Sequence, residues 1–336
     1  MRHLRGDEKL LVWMPRWLGD VQMAEPALAA LAAFMVAPAR LTIALPRAFF
    51  PLLDPKLFHL APGLGEATLL DANDERAMDT ALRAADAALL LRGSFRSALQ
   101  ALRARVPRRI GWARDGRGPL LTDSMRPARE RLPQTRRVLP RPFTTAAQEL
   151  VGSLGVPVRR TEPQLIPTEA LLAATRARLT TEGLPEGAPF ILINVGGRAG
   201  SAKALDDWRP IVAPLLAAGR SIVAVAGPDE QARLDALPKD PRLVAFAASL
   251  PELRALSFLC DHAITTDTGP RHILADSLTL FGPTDPRHTA SHLARTQMFV
   301  GRVPCGPCHQ ERCPEANKHA CFAAIDFEAV IQAALS

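Results

Sequence analysis

The chain has 336 residues, 48% hydrophobic and 22% charged, a globular composition with enough apolar residues for sizeable cores that excludes disorder over most of its length. At roughly 100–200 residues per domain, that length predicts two domains. The net charge of +7, carried mostly by arginine, fits a solvated basic surface or attraction to acidic partners, namely phosphorylated substrates or an anionic membrane face; with 5% aromatics and no basic segment interleaved with stacking residues, nucleic acid is not an expected partner.

Short apolar runs alternate with longer segments of helical period, as in parallel sheets covered by helices. Residues 10–15 read as a strand, 24–36 as a helix and 41–46 as a second strand. A helix over 77–85 runs into a strand at 87–91, followed by a helix at 95–105 and a strand at 109–113. Residues 126–142, rich in Pro and Arg without a clear period, fit either a mobile loop or an ordered surface excursion. After a helix at 144–154, GVPVRRTEPQLIP carries three prolines and is the expected linker. The second half predicts strands at 190–195, 221–226, 243–247, 263–266 and 278–281, with helices at 207–218, 229–237, 250–259 and 327–335. The expectation is an N-terminal domain over 1–155, a linker over 156–168 and a C-terminal domain over 169–336. Each is α/β and Rossmann-like, so ligands belong beyond the carboxyl ends of the strands. The longest apolar stretch, 26–39, is interrupted by Pro38 and shorter than the roughly 20 residues of a membrane span. The opening MRHLRGDEKLLVW lacks the apolar centre of a signal peptide, so a cytoplasmic location is expected.

Four strings carry candidate chemistry. In Arg16-Trp17-Leu18-Gly19-Asp20-Val21, Gly19 permits close backbone approach or an unusual φ, and Asp20 either caps the following helix or acts as a general base. Gly196-Gly197-Arg198-Ala199-Gly200-Ser201-Ala202-Lys203 is not a P-loop, because Lys203 does not follow a glycine and Ala204 replaces the Ser/Thr that binds magnesium. It reads either as a surface turn or as a cradle for a diphosphate. In Thr265-Thr266-Asp267-Thr268-Gly269-Pro270-Arg271-His272, a strand turns at Gly269 and Pro270 opens a helix. This is either a well-capped helix start or an anion site, with the amides of Thr268 and Gly269 aimed outward, Asp267 accepting from a hydroxyl and His272 donating to a phosphate. Cys305, Cys308, Cys313 and Cys321, with His309 and His319 among them, fit a structural Zn site, an Fe–S site, free thiols or one disulfide. Cys260 reads as a small buried hydrophobe. Arg92-Gly93-Ser94-Phe95-Arg96-Ser97 and Gly111-Trp112-Ala113-Arg114-Asp115 add arginines near strand ends, either solvated or, as a group, binding phosphate or carboxylate.

Taken in order, PRWLGDVQMAEPAL, RGSFRSAL with RRIGWARDGRGPLLTD, GGRAGSAKALDDWRP, and TDTGPRHI followed by LFGPTDP span nearly the whole chain. Together they resemble the ADP-heptose:lipopolysaccharide heptosyltransferases of glycosyltransferase family nine, the second string being most similar to the heptosyltransferase II branch. The resemblance implies a GT-B fold, two Rossmann-like domains with parallel sheets facing across a cleft, the acceptor on the first and the nucleotide sugar on the second. It implies inverting, metal-independent transfer with ADP-heptose as donor substrate and no resident cofactor, a structural Zn at the cysteines being left open. It also implies a lipid-linked or glycan acceptor and peripheral contact with the inner membrane face. Asp20 then matches the catalytic base, and Lys203 the lysine on the donor diphosphate. Asp267, Thr268, Gly269 and His272 match the donor turn, and Glu230 falls near the acidic residue that holds the adenosine ribose. Gly19 and Gly197 fall in the same cofactor-binding strings. Between His272 and Leu280 the chain is shorter than the family pattern by about one helical turn (~3.6 residues). Alternatives are a family-nine enzyme with another nucleotide sugar and glycan, or a catalytically weak nucleotide-sugar-binding protein.

Overall fold

The computed structural model describes residues 1–131, 136–138, 141–197, 202–227, 230–289, 295–313 and 319–336. The chain divides into two compact units, Met1–Ile166 and Pro167–Ser336.

The first unit is built on a six-stranded parallel sheet. Its strands are β1 (Leu10–Trp13), β2 (Leu41–Leu45), β3 (Thr68–Asp71), β4 (Ala87–Leu90), β5 (Arg108–Trp112) and β6 (Asp123–Met125). In space they run β3-β2-β1-β4-β5-β6, the doubly wound order of a Rossmann-like domain. The register sets Leu10 beside Leu41 and Ala87. The side chains of β1 alternate between two cores. Leu10 and Val12 join Leu41, Ile43 and Leu89 under α2 (Glu25–Phe34) and α5 (Phe143–Gly152). Leu11 and Trp13 face the other way, against Met78 and Leu82 of α3 (Glu75–Ala84) and Ala98 and Ala101 of α4 (Phe95–Arg103). This double coverage is why the central strands are continuous apolar runs. A short α1 (Leu18–Met23) precedes α2.

The Pro/Arg-rich stretch that composition left undecided and the expected linker both show defined contacts among the described residues. Arg129–Arg131 pairs antiparallel with Arg136–Val138, so the Pro/Arg-rich stretch contains a small hairpin. The Pro-rich segment after α5 is tied to the first unit. Gln148 donates to the carbonyls of Arg160 and Thr161, while Glu25 receives the Arg160 guanidinium at 2.5 Å and the Gln164 amide at 2.9 Å.

The second unit repeats the plan with β7 (Phe190–Asn194), β8 (Ser221–Val225), β9 (Leu243–Phe246), β10 (His262–Thr266), β11 (Ser277–Phe281) and β12 (Thr296–Val300). All its pairs are parallel, in the order β9-β8-β7-β10-β11-β12. Ile191, Ile193, Ile222 and Ile264 pack beneath α7 (Arg209–Ala217) and α11 (Phe327–Leu335). The remaining helices are α6 (Glu169–Thr181), α8 (Gln231–Asp235), α9 (Leu250–Leu259) and α10 (Ala320–Ala323). Thr168 caps α6, and a reciprocal Ser249–Glu252 capping box starts α9, satisfying amides that would otherwise lack partners. Among the described residues, no helix is long and apolar enough to cross a membrane.

Candidate functional site

In the first unit the chain leaves β1 and enters α1 almost at once. Trp17 occupies the N-cap position without a side-chain cap, and Asp20 lies in the first helical turn, half-buried. The capping alternative for Asp20 is therefore corrected: it lies inside the helix, where the positive end of the peptide dipoles favours a carboxylate. For Gly19 the unusual φ is corrected. It is a buried helical residue, and the glycines with positive φ lie elsewhere, as at Gly63 and Gly116.

The arginine-bearing loops of this unit separate into two roles. Arg117 is 1% exposed and donates to the carbonyls of Trp112 (2.8 Å), Arg92 (2.7 Å) and Leu90 (3.4 Å), binding together the ends of β4 and β5. Burial pushes its guanidinium down to about 10. Arg114 packs on Gly93, where a Cβ would come within 2.5 Å of its Nη2. Arg16, Arg92 and Arg96 instead line an open cavity.

In the second unit, three loops meet beyond the carboxyl ends of β7, β8 and β10. The amide of Asn194 donates to Thr265 Oγ1 at 3.0 Å, coupling the buried ends of β7 and β10. Glu230, just before α8, accepts from the amides of Gly197 (2.7 Å) and Gly227 (2.9 Å), so one carboxylate joins the loops after β7 and β8. Gly196 has to be small: a Cβ there would lie 2.7 Å from Glu230 Oε2 and 3.1 Å from Asn194 Oδ1. The corresponding position on Gly197 is 3.6 Å from Thr268 Cγ2, which brings in the third loop. Residues 198–201 of the glycine-rich string, like residues 228–229, lie outside the described residues. Beyond the string's gap, Lys203 is half-buried and the Ala202 amide donates to the Glu311 carbonyl at 3.0 Å.

The turn after β10 differs from the expected helix start. Gly269–His272 forms only a 3-10 turn, because β11 already begins at Ser277. The Thr268 amide points back to the Thr266 carbonyl at 2.7 Å. An outward-facing Thr268 amide and an α-helical dipole are thus both corrected, since one short turn aligns few peptide units. The positive charge here comes from Arg271, buried with Asp267 and His272. Arg271 Nη1 donates to Asp267 Oδ1 at 3.2 Å and to the Thr289 carbonyl at 2.9 Å. Burial lowers the Arg271 pKa, and Asp267 opposes that shift. Asp267 Oδ2 and Arg271 Nε and Nη2 have no hydrogen-bond partner among the described residues, leaving buried acceptor and donor capacity at this turn.

One residue of this neighbourhood was visible in the sequence only as a neighbour of cysteines. His309 stacks edge-on to His288 with centroids 4.9 Å apart, and its amide donates to the Pro283 carbonyl. Burial and the neighbouring His288 lower its pKa, while Asp285 opposes that shift. Cys305, Cys308, Cys313 and Cys321 line one cavity of about 40 Å³ with His319 and Ala202. All four are free thiols, and burial followed by Cys313 and Cys308 pushes the Cys321 thiol up. Among the described residues, no three His, Cys, Asp or Glu side chains are arranged to hold a metal ion. The thiol-rich segment therefore adjoins the Lys203 loop through Ala202 and Glu311. Cys260, at the end of α9, has its thiol pushed up to about 12 by burial.

The family model for glycosyltransferase family 9 (heptosyltransferase) matches residues 76–319. Escherichia coli ADP-heptose LPS heptosyltransferase II is 22% identical, with 96% of each chain covered and a TM-score of 0.69. A family 9 glycosyltransferase from Veillonella parvula is 19% identical over 99% of this chain and 98% of that one, with a TM-score of 0.72. The E. coli heptosyltransferase WaaC, solved with ADP-2-deoxy-2-fluoro heptose, is 17% identical over 87% and 93%, with a TM-score of 0.56. These likenesses identify a GT-B-like fold with two Rossmann-like domains. No curated protein matches the chain.

Proposed function

Since the chain belongs to glycosyltransferase family 9, we propose that it moves heptose from ADP-heptose to a lipopolysaccharide inner-core acceptor, with inversion and without a metal ion. The N-terminal domain takes the acceptor and the C-terminal domain the nucleotide sugar. Asp20 removes the proton from the acceptor hydroxyl, whose oxygen attacks the anomeric carbon as the bond to ADP breaks. Lys203 meets the negative charge that develops on the departing diphosphate, a fixed cation placed where charge appears. Glu230, Gly197 and the Asp267–His272 turn hold the nucleotide sugar. The observation that supports this reading most is the meeting of the Gly197, Glu230 and Thr268 loops beyond the carboxyl ends of the strands of one sheet. The net charge of +7 favours peripheral contact with an anionic inner leaflet, where a lipid-linked acceptor lies.

Mass spectrometry of reactions with a panel of nucleotide sugars tests the donor: ADP-heptose is expected to be consumed, and exclusive use of another sugar would overturn that part. Lys203→Ala is expected to weaken ADP-heptose binding by about 10–100-fold, the scale of one lost charge-assisted contact, read by calorimetry. Turnover is expected to persist in excess EDTA, and its complete loss, restored by a divalent cation, would refute metal independence.

A further inference from the structure

The thiol-rich segment takes no part in the transfer step proposed above, yet it is tied to the loop that carries Lys203. Cys305, Cys308, Cys313 and Cys321 stand around one small cavity of about 40 Å³, which Ala202 and Pro283 also line. All four are free thiols of graded exposure: Cys305 is exposed, Cys308 and Cys313 are half-buried, and Cys321 is buried. Two backbone hydrogen bonds leave the stretch between Cys308 and Cys313. The His309 amide donates to the Pro283 carbonyl at 2.9 Å, and the Glu311 carbonyl accepts from the Ala202 amide at 3.0 Å. Ala202 immediately precedes Lys203, and Pro283 lies two residues beyond the end of β11. A displacement of Cys308 or Cys313 is therefore carried to the residue beside Lys203.

We propose that Cys308 and Cys313 form a reversible disulfide that governs the Lys203 loop, and with it the affinity for the donor diphosphate. The inference rests on reading Lys203 as the residue on that diphosphate. Cys321 is buried and Cys305 lies outside the tied stretch, whereas this pair brackets both hydrogen bonds. Joining the two sulfurs at about 2.0 Å closes part of the cavity and draws in the backbone on either side of Glu311. The Ala202–Glu311 hydrogen bond is then lost, and Lys203 leaves its place. With glutathione disulfide as oxidant, the Cys308 thiolate attacks one of its sulfurs, forming a mixed disulfide and releasing one glutathione. The Cys313 thiolate then attacks the Cys308 sulfur, closing the protein disulfide and releasing the second glutathione. The chain gives up two electrons and two protons, and the oxidant takes up both as it becomes two glutathione molecules.

The full chain treated with glutathione disulfide, compared with the same chain in dithiothreitol, provides the test. Peptide mass spectrometry is expected to find the Cys308–Cys313 bridge, and hydrogen exchange to find faster exchange in the peptide that holds Ala202. Calorimetry is expected to show ADP binding weakened by about tenfold, the loss of one charge-assisted contact, and restored by dithiothreitol. The double variant Cys308→Ser, Cys313→Ser is expected to bind ADP as the reduced chain does and to be indifferent to the oxidant. Absence of a bridge between these two cysteines would overturn the proposal, as would a bridge that leaves Ala202 exchange unchanged. So would a purified chain that holds one equivalent of metal and has all four thiols closed to alkylation, or equal ADP affinity in the two forms of a chain that binds ADP. Bridge-dependent exchange at Ala202 in a chain that binds no ADP in either form would keep the disulfide's hold on the loop and remove the proposed donor.

Discussion

Asp20→Asn is expected to lower kcat by about 10²–10⁴-fold, the usual contribution of a positioned general base. Asparagine keeps the size and polarity of the side chain, and the backbone bond from the Ala24 amide to the residue-20 carbonyl does not depend on the carboxylate. The variant is therefore expected to melt within about 1–2 °C of wild type, a surface-scale change. Its affinity for ADP-heptose should also be unchanged, because the donor is assigned to the other domain. Rapid-quench turnover, calorimetry with the donor and thermal unfolding, measured on one preparation, separate these effects. Wild-type turnover in the variant would end the base assignment. Loss of donor affinity along with turnover would instead place Asp20 on the nucleotide sugar.

Arg271→Met is expected to carry the largest stability effect. The Arg271 and Asp267 side chains are 1% and 3% exposed, so removing the cation leaves a carboxylate in an interior without its partner. Breaking one side of such a pair costs about 3–5 kcal/mol. For a domain the size of Pro167–Ser336 this corresponds to a melting temperature lower by about 10 °C. The arginine also supports the Thr289 carbonyl and lies 5.2 Å from the Phe281 ring centroid, so part of the loss comes from those contacts. Asp267→Asn in the same chain should recover a portion of the stability, because it removes the stranded charge. Scanning calorimetry of the single and double variants gives the coupling directly. A shift below about 2 °C for Arg271→Met would show that the pair contributes little.

The central strands were legible because helices cover both faces of each sheet, which makes LLVW apolar throughout and leaves FILIN and SIVAV one polar residue each, at an end. Of the four edge strands only Leu243–Phe246 was legible. Thr68–Asp71, Asp123–Met125 and Thr296–Val300 lie at sheet margins, carry fewer apolar residues and resemble loops in composition. The helix Glu169–Thr181 had a readable signature, a Thr168 cap followed by buried Leu171, Leu172, Thr175 and Leu179, but the prolines before it drew attention to a linker. At the site, glycines and an acid were visible as motif letters, and the structure shows Gly197, Glu230 and Thr268 as neighbours. Arg271 was hidden by the abundance of arginine, since its letter does not distinguish an internal counter-ion from a solvated side chain. His309 was hidden because its partners, Asp285 and His288, are separated from it in sequence. The truncation after His272 was visible, and its outcome is a turn that uses a buried guanidinium where a longer helix would have supplied a dipole.

The Glu230 carboxylate that joins Gly197 to Gly227 has a consequence for how a ligand arrives. With two amides bound, an ionised carboxylate still has acceptor directions left for hydroxyl groups. On the donor role proposed for this site, a nucleotide would meet loop anchors already joined before it enters, and its binding enthalpy would not be drained by assembling them. Weakening that tie should convert a ready-made seat into one each incoming molecule has to build, most visible as slower capture and a more unfavourable entropy of association.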